Sequence, residues 1–198
     1  LVDSFPHLGH IISTNLDDKS DILHRRDCFV GQVNNVLSFF NKLDKFVKLK
    51  LFHSYCYSFY GCELWALDNS CIDQFCMAWR KSVRRILDLP NNSHSLLLPI
   101  VSDLLPVFDE ICKRSARFIN SCLFSNSPLV RSIAYFAVKN AKFNSFLGSN
   151  AAFCCKYFGW DYDNFFVCIV RFQNTFSKDH FWENVSENDK SVALAALE

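Results

Sequence analysis

Between Asp21 and Leu43 the apolar residues Phe29, Val33, Val36, Phe40 and Leu43 recur at steps of three and four. That spacing lines one face of a helix. The stretch Lys42 to Lys50 is rich in lysine and reads as a helix end running into a loop; Leu51 to Tyr60 is aromatic and compact, and Gly61 breaks it. The clearest amphipathic pattern spans Ser70 to Leu87, where Ile72, Phe75, Cys76, Trp79, Val83 and Ile86 form an apolar stripe. Leu89-Pro90 ends it, because the residue before a proline resists helical dihedrals. A further helix is predicted from about Pro106 to Leu123, with Leu104 just upstream and Phe108, Ile111, Phe118 and Cys122 sharing one side. Ser127-Pro128 is an N-cap and first-turn pair, and it opens a helix to about Lys142. Asn150 to Phe158 is a short helix closed by Gly159. Asp161 to Phe176 fits helix or buried strand, and Asn188 to Leu197 fits a helix.

Ahead of these helices, Phe5 to Ser13 reads as a short strand or half-hairpin that Pro6 confines to an edge. Asn15-Leu16-Asp17-Asp18 is a polar turn. The expected fold is therefore mostly α, with a short N-terminal β element and a soft boundary at Phe124 to Ser127. Composition agrees: half of the 198 residues are apolar, 21 are Phe, and Gly and Pro number only 5 each. Such a chain can bury a core but has little of the turn punctuation an all-β fold needs.

The net charge of +1 implies no acidic partner by itself, so any basic surface must come from local clustering. Lys and Arg do cluster between Arg25 and Arg85. The ten cysteines contain no CxxC pair, which argues against zinc and for reduced, buried thiols. Reduced thiols imply an intracellular protein, cytoplasmic or nuclear, in which the sequons at Asn91 and Asn184 are chance matches. No apolar run reaches membrane-spanning length. The start, Leu1-Val2-Asp3-Ser4, has neither an initiator Met nor a signal pattern, and the expectation is a chain that begins inside a larger protein.

Several segments in a fixed order carry a family likeness. They are Phe5-Pro6-His7-Leu8-Gly9-His10-Ile11-Ile12-Ser13, then Asp21-Ile22 with Arg25-Arg26, then Asn34-Asn35-Val36-Leu37. Lys50 to Cys56, Phe59 to Trp65 and Trp79 to Pro90 follow. Together, over Phe5 to Leu123, they resemble the region after the catalytic motifs in non-LTR (LINE-type) retrotransposon reverse transcriptases. The resemblance implies that residues 1–14 are a primer-grip-like strand at the end of the palm, that 15–125 form a helical thumb-like bundle, and that 126–198 are a C-terminal helical extension. It implies that Leu8, Gly9 and His10 approach nucleic acid. It also implies a chain that supports the template–primer duplex and is not itself an enzyme, its partners being RNA or an RNA–DNA duplex and the palm and fingers of the same polyprotein, with no membrane. No cofactor is expected in this part, because the Mg2+ of the full-length relative is held in the palm. The family's paired-Asp motif has no match; Asp17-Asp18 follows Leu-Gly instead of preceding it and reads as turn chemistry.

Two basic groups are the candidate contacts. Arg80, Lys81, Arg84 and Arg85 lie opposite Trp79, Val83 and Ile86 at about 100° per residue. They form either a phosphate-contacting stripe or a solvated face. Lys42, Lys45, Lys48 and Lys50 are either backbone contacts or else helix C-terminal caps or a solvated face. Other constellations point to structure. His7 and His10, three apart on one strand, would point to opposite faces. Cys56 with His53 lacks the third group of a nucleophilic site. Asp109-Glu110 and Asp161/Asp163 suit helix starts or turns. Trp65, Trp79 and Trp160 could stack on bases, though the helix stripe places Trp79 in the core. The rival reading is a helical protein-interaction module whose Phe-rich surface docks a protein and no nucleic acid.

Overall fold

The chain turns back on itself at Leu8-Gly9. Strands β1 (Ser4–His7) and β2 (His10–Ser13) pair antiparallel, with Ser4 opposite Ser13, Phe5 opposite Ile12, Pro6 opposite Ile11 and His7 opposite His10. Leu8 and Gly9 both have positive φ, 47° and 84°, the condition for the I′ turn whose twist matches the flanking strands. A full hairpin thus replaces the expected half-hairpin, and Leu-Gly forms its turn instead of lying within a strand. His7 and His10 face each other across the hairpin. Directly opposed residues share a face, so the expectation of opposite faces, which assumed a single strand, is corrected.

This is a computed structural model, and it describes residues 3–140 and 145–159. The expected elements at Asp161 to Phe176 and Asn188 to Leu197, and Trp160, lie outside the described residues. The fold is mostly helical, with the hairpin as a short two-stranded sheet. The described residues divide into two compact units, one of 3–60 with 70–108, the other of 61–69 with the residues from Asp109 onward. The boundary read at Phe124 to Ser127 falls inside the second unit.

In the first unit a polar turn leads into α1 (Lys19–Phe39): the Ser13 hydroxyl accepts from Asp17 N at 3.0 Å, and the Asp17 carboxylate accepts from Lys19 N at 3.0 Å. Helix α1 buries Ile22, Phe29, Val33 and Val36. It stops at Phe39, so Phe40 and Leu43, expected on its buried face, are 37% and 41% exposed. Asp44 caps α2 (Lys45–Cys56) by accepting from Phe46 N at 2.8 Å, and α2 buries Leu49, Phe52 and Cys56. The lysine stretch is therefore a helix start, not a helix end.

Helix α3 (Cys71–Ile86) carries the predicted stripe inward: Ile72, Phe75, Cys76, Trp79, Val83 and Ile86 are all buried. It closes through Asp88, at φ 54°, with Leu89 N donating to Arg84 O at 2.9 Å. That bond has the reach of a Schellman cap. The short α4 (Leu97–Ser102) follows. Phe75 sits at the centre of an aromatic cluster, with ring centroids 5.3 Å from Phe29 and 5.2 Å from Phe59, both edge-on. Edge-on rings match the aromatic quadrupole and add to the hydrophobic gain of burial.

The second unit is built on α5 (Val107–Leu123), α6 (Pro128–Lys139) and α7 (Phe146–Phe158), with a 3₁₀ turn at Cys62–Leu64. Helix α5 buries Ile111, Cys112, Ala116, Ile119 and Leu123. The expected stripe is thus rotated: Phe118 and Cys122 are half-buried at its margin. Helix α6 starts at the predicted Pro128 and stops at Lys139. Helix α7 starts one turn earlier than Asn150, where the Ser145 hydroxyl accepts from Gly148 N at 3.1 Å; Gly159, at φ 66°, ends it as expected.

Buried Asn150 fastens the 61–69 segment into this unit. Its side-chain oxygen accepts from Leu67 N at 3.1 Å, and its amide nitrogen donates to Trp65 O at 2.9 Å and to Ser115 Oγ at 3.3 Å. One buried amide thus bonds two backbone groups of the segment.

Candidate nucleic-acid interface

The turn of the hairpin is held by two side chains one helical turn apart on α1. Buried Asp21 accepts from Ile11 N at 3.0 Å and meets His10 Nδ1 at 3.2 Å. Four residues on, Arg25 Nη2 donates to Gly9 O, and its guanidinium lies 5.3 Å from the centre of the Tyr60 ring. The same ring is 5.5 Å from His10. A Cβ on Gly9 would come within 3.4 Å of Arg25 Nη2 and 3.5 Å of Tyr60, so glycine suits both the dihedral and the space. Gly9 and Leu8 remain exposed, Leu8 at 77%. A β-turn leucine with positive φ is uncommon and strained, and this one projects its side chain into solvent from a fixed base. Sequence reasoning quoted Asp21, Arg25 and Tyr60 without giving them this role. The signal was the four-residue spacing of Asp21 and Arg25, which puts both on one face of α1.

The basic residues of α3 divide into three kinds. Lys81 and Arg85 are exposed, although Arg85 Nη1 also donates to Asn34 Oδ1 at 2.9 Å. Arg80 is half-buried. Arg84 is turned to internal use: Nη2 donates to Ser93 O at 2.8 Å and to Ser95 Oγ at 3.0 Å, tying down the loop after Pro90. Arg84 is therefore a loop anchor in this fold.

No family model, characterised protein or solved structure matches the chain significantly.

Among the four candidate lysines, Lys42 is exposed in the loop after α1, while Lys45, Lys48 and Lys50 belong to the start of α2. Lys45 and Lys50 are exposed and Lys48 is half-buried. The last turn of α1 contains no basic residue and the first turn of α2 no acidic one, so the capping alternative is corrected. Cations at a helix N-terminus oppose the dipole by about 0.3–1 kcal/mol each. Near them in the sequence are exposed apolar side chains: Phe39 at 78%, Phe46 at 51% and Val47 at 45%.

The remaining constellations resolve as structure. Trp65 and Trp79 are buried, 1% and 2% exposed, and neither is available to a base. Cys56 is buried and desolvation pushes its thiol up to about 11; Cys154 is pushed up to about 12, and Cys62 higher still, for the same cause. Such thiols are poor nucleophiles. Cys28 is the exposed thiol among the described residues, and Cys122 is half-buried. Glu110 pairs with Arg114 at 2.9 Å and with Lys113 at 3.7 Å. Burial lifts the Asp109 carboxyl to about 6 against the opposing hydrogen bond from Tyr157, whose hydroxyl donates to Oδ1 at 3.2 Å. Among the described residues no three His, Cys, Asp or Glu side chains converge as a metal site. Nor is any described helix long and apolar enough to cross a membrane.

Proposed function

We propose that this chain supports a nucleic-acid duplex in the manner of the thumb of a non-LTR retrotransposon reverse transcriptase, contacting the phosphate backbone through α2 and α3. The observation that carries this reading is the placement of Lys45 and Lys48 at the start of α2, in a first turn with no acid beyond the Asp44 cap that precedes it. Folding alone favours the opposite charge there. A polyanion reverses the balance, since helix N-termini and lysines both attract phosphate. Lys81 and Arg85 add exposed cations on a helix whose other face is buried. On this reading the chain supplies positioning, its partners are RNA or an RNA–DNA duplex and the catalytic part of the same polyprotein, and the chemistry belongs to that part.

The test is binding of the protein to an RNA–DNA hybrid duplex over a range of salt concentrations. Replacing Lys45, Lys48, Lys81 and Arg85 with Gln removes four charges, which lowers the log–log salt slope by about 3–4. Weakening is independent of duplex sequence, because phosphate contacts carry no base code. Equal binding by parent and variant at every salt concentration overturns the proposal.

A second reading is favoured by the exposed Phe39, Phe40, Leu43, Phe46 and Val47: the same region docks an apolar protein surface and no nucleic acid. Clustered exposed apolar side chains mark interaction sites. The salt series discriminates, since apolar docking lacks a steep slope.

A further inference from the structure

His7 and His10 stand opposite each other at the closed end of the β1–β2 hairpin. Directly opposed residues share a face and hold their Cβ atoms about 4.5–5.5 Å apart. Two imidazoles rooted at that spacing can converge on one ion, because nitrogens each about 2.0–2.1 Å from a metal lie only about 3 Å from one another. The pairing is fixed by the backbone. The Leu8-Gly9 turn sets its register, and Arg25 Nη2 holds the turn by donating to Gly9 O.

The surroundings of His10 give it the form of a metal ligand. Its Nδ1 lies 3.2 Å from Asp21 Oδ2. A carboxylate only accepts, so in the neutral ring the proton sits on Nδ1 and the lone pair on Nε2. Asp21 is itself held in place, since Oδ1 accepts from Ile11 N at 3.0 Å. Its side chain is 3% exposed against 17% for His10. A buried carboxylate behind a partly exposed imidazole orients a histidine ligand and raises its basicity. The Tyr60 ring, 5.5 Å from His10, limits ring rotation further. His7 is exposed, so an ion reaches the pair from solvent. Arg25 brings a positive charge close by, which the Asp21 carboxylate, one helical turn away, opposes. Two side chains and not three converge here, so an ion keeps water at its other positions. Imidazole suits Zn2+, Ni2+ and Cu2+, whereas Mg2+ and Ca2+ take oxygen ligands.

We propose that His7 and His10 form a surface site for a divalent transition-metal ion of the Zn2+, Ni2+ and Cu2+ class, with Asp21 positioning His10. The site lies wholly in the first unit and does not rest on the duplex reading of α2 and α3. The rival donor pair in that unit is His24 Nε2 and Cys28 Sγ, 3.6 Å apart on α1.

The experiment titrates paramagnetic Ni2+ into the reduced, isotope-labelled whole protein and follows the broadening of backbone amide signals by NMR. The amides from His7 to His10 broaden at substoichiometric Ni2+. Added Zn2+ restores them and Mg2+ does not. His7→Gln weakens Ni2+ binding at these signals by at least the tenfold that loss of an outer-shell partner costs, whereas His24→Gln leaves it unchanged. Both changed side chains are exposed, so both variants keep the parent's melting temperature. Nitrogen shifts of the metal-free His10 ring, taken in mildly alkaline buffer, show Nδ1 protonated and Nε2 bare. Hairpin signals that stay sharp in the parent overturn the proposal, as does parent-like broadening in His7→Gln. Broadening confined to the amides around His24 and Cys28 also overturns it and assigns the ion to α1. The opposite tautomer of His10 overturns the role given to Asp21.

Discussion

Trp79 shows how one side chain can be stabilising and imperfect together. It is 2% exposed in the α3 stripe, yet its indole N–H finds no partner among the described residues. Trp79→Ala should cost roughly 3–5 kcal/mol through lost burial and a cavity. Trp79→Phe should cost far less, because it also removes an unsatisfied buried donor, whose penalty is about 1–3 kcal/mol. Denaturant melts of the two variants separate the terms, and equal losses would mean the N–H does have a partner. Asp109 gives a pH signature. Its folded pKa is raised to about 6 from the usual 3.8, so its favourable contribution is complete below the lower value and lost as pH rises through the upper one. Asp109→Asn has no such titration. Thermal melts should show its stability advantage over the parent shrinking as pH falls from 7 to 4. A constant offset across that range would show that burial does not shift this carboxyl.

At the scale of elements, periodicity told most where a helix is buried along a narrow stripe. The six apolar residues read for α3 all face inward, because nothing but burial governs their spacing. It told least at ends and turns. Lysines near position 45 look the same at the end of one helix as at the start of the next; the Asp44 cap decides, and one polar side chain leaves no periodic trace. Arg84 could not be told from Arg85 in the sequence, since the loop that captures it, at Ser93 and Ser95, is distant in sequence and irregular. Asp21 and Arg25 lay in view as a four-residue pair, but their target, the Leu8-Gly9 turn, became visible only when the strand proved to be a hairpin.

For the whole molecule the decisive residue is Asn150. Asn150→Ala should leave Leu67 N buried without its partner, a loss of roughly 1–3 kcal/mol. The expected readout is early protease cleavage within residues 61–69 while the α3 region stays protected; uniform protection would show that the amide is dispensable. The same bond bears on synthesis. Leu67 leaves the ribosome 83 residues before its acceptor on Asn150 exists. At translation speeds of about 5–20 residues per second the wait is roughly 4–17 s. Through that interval Trp65 and Leu67 are apolar bait for chaperones or for a neighbouring nascent chain, and translation rate becomes a variable in the yield of folded protein.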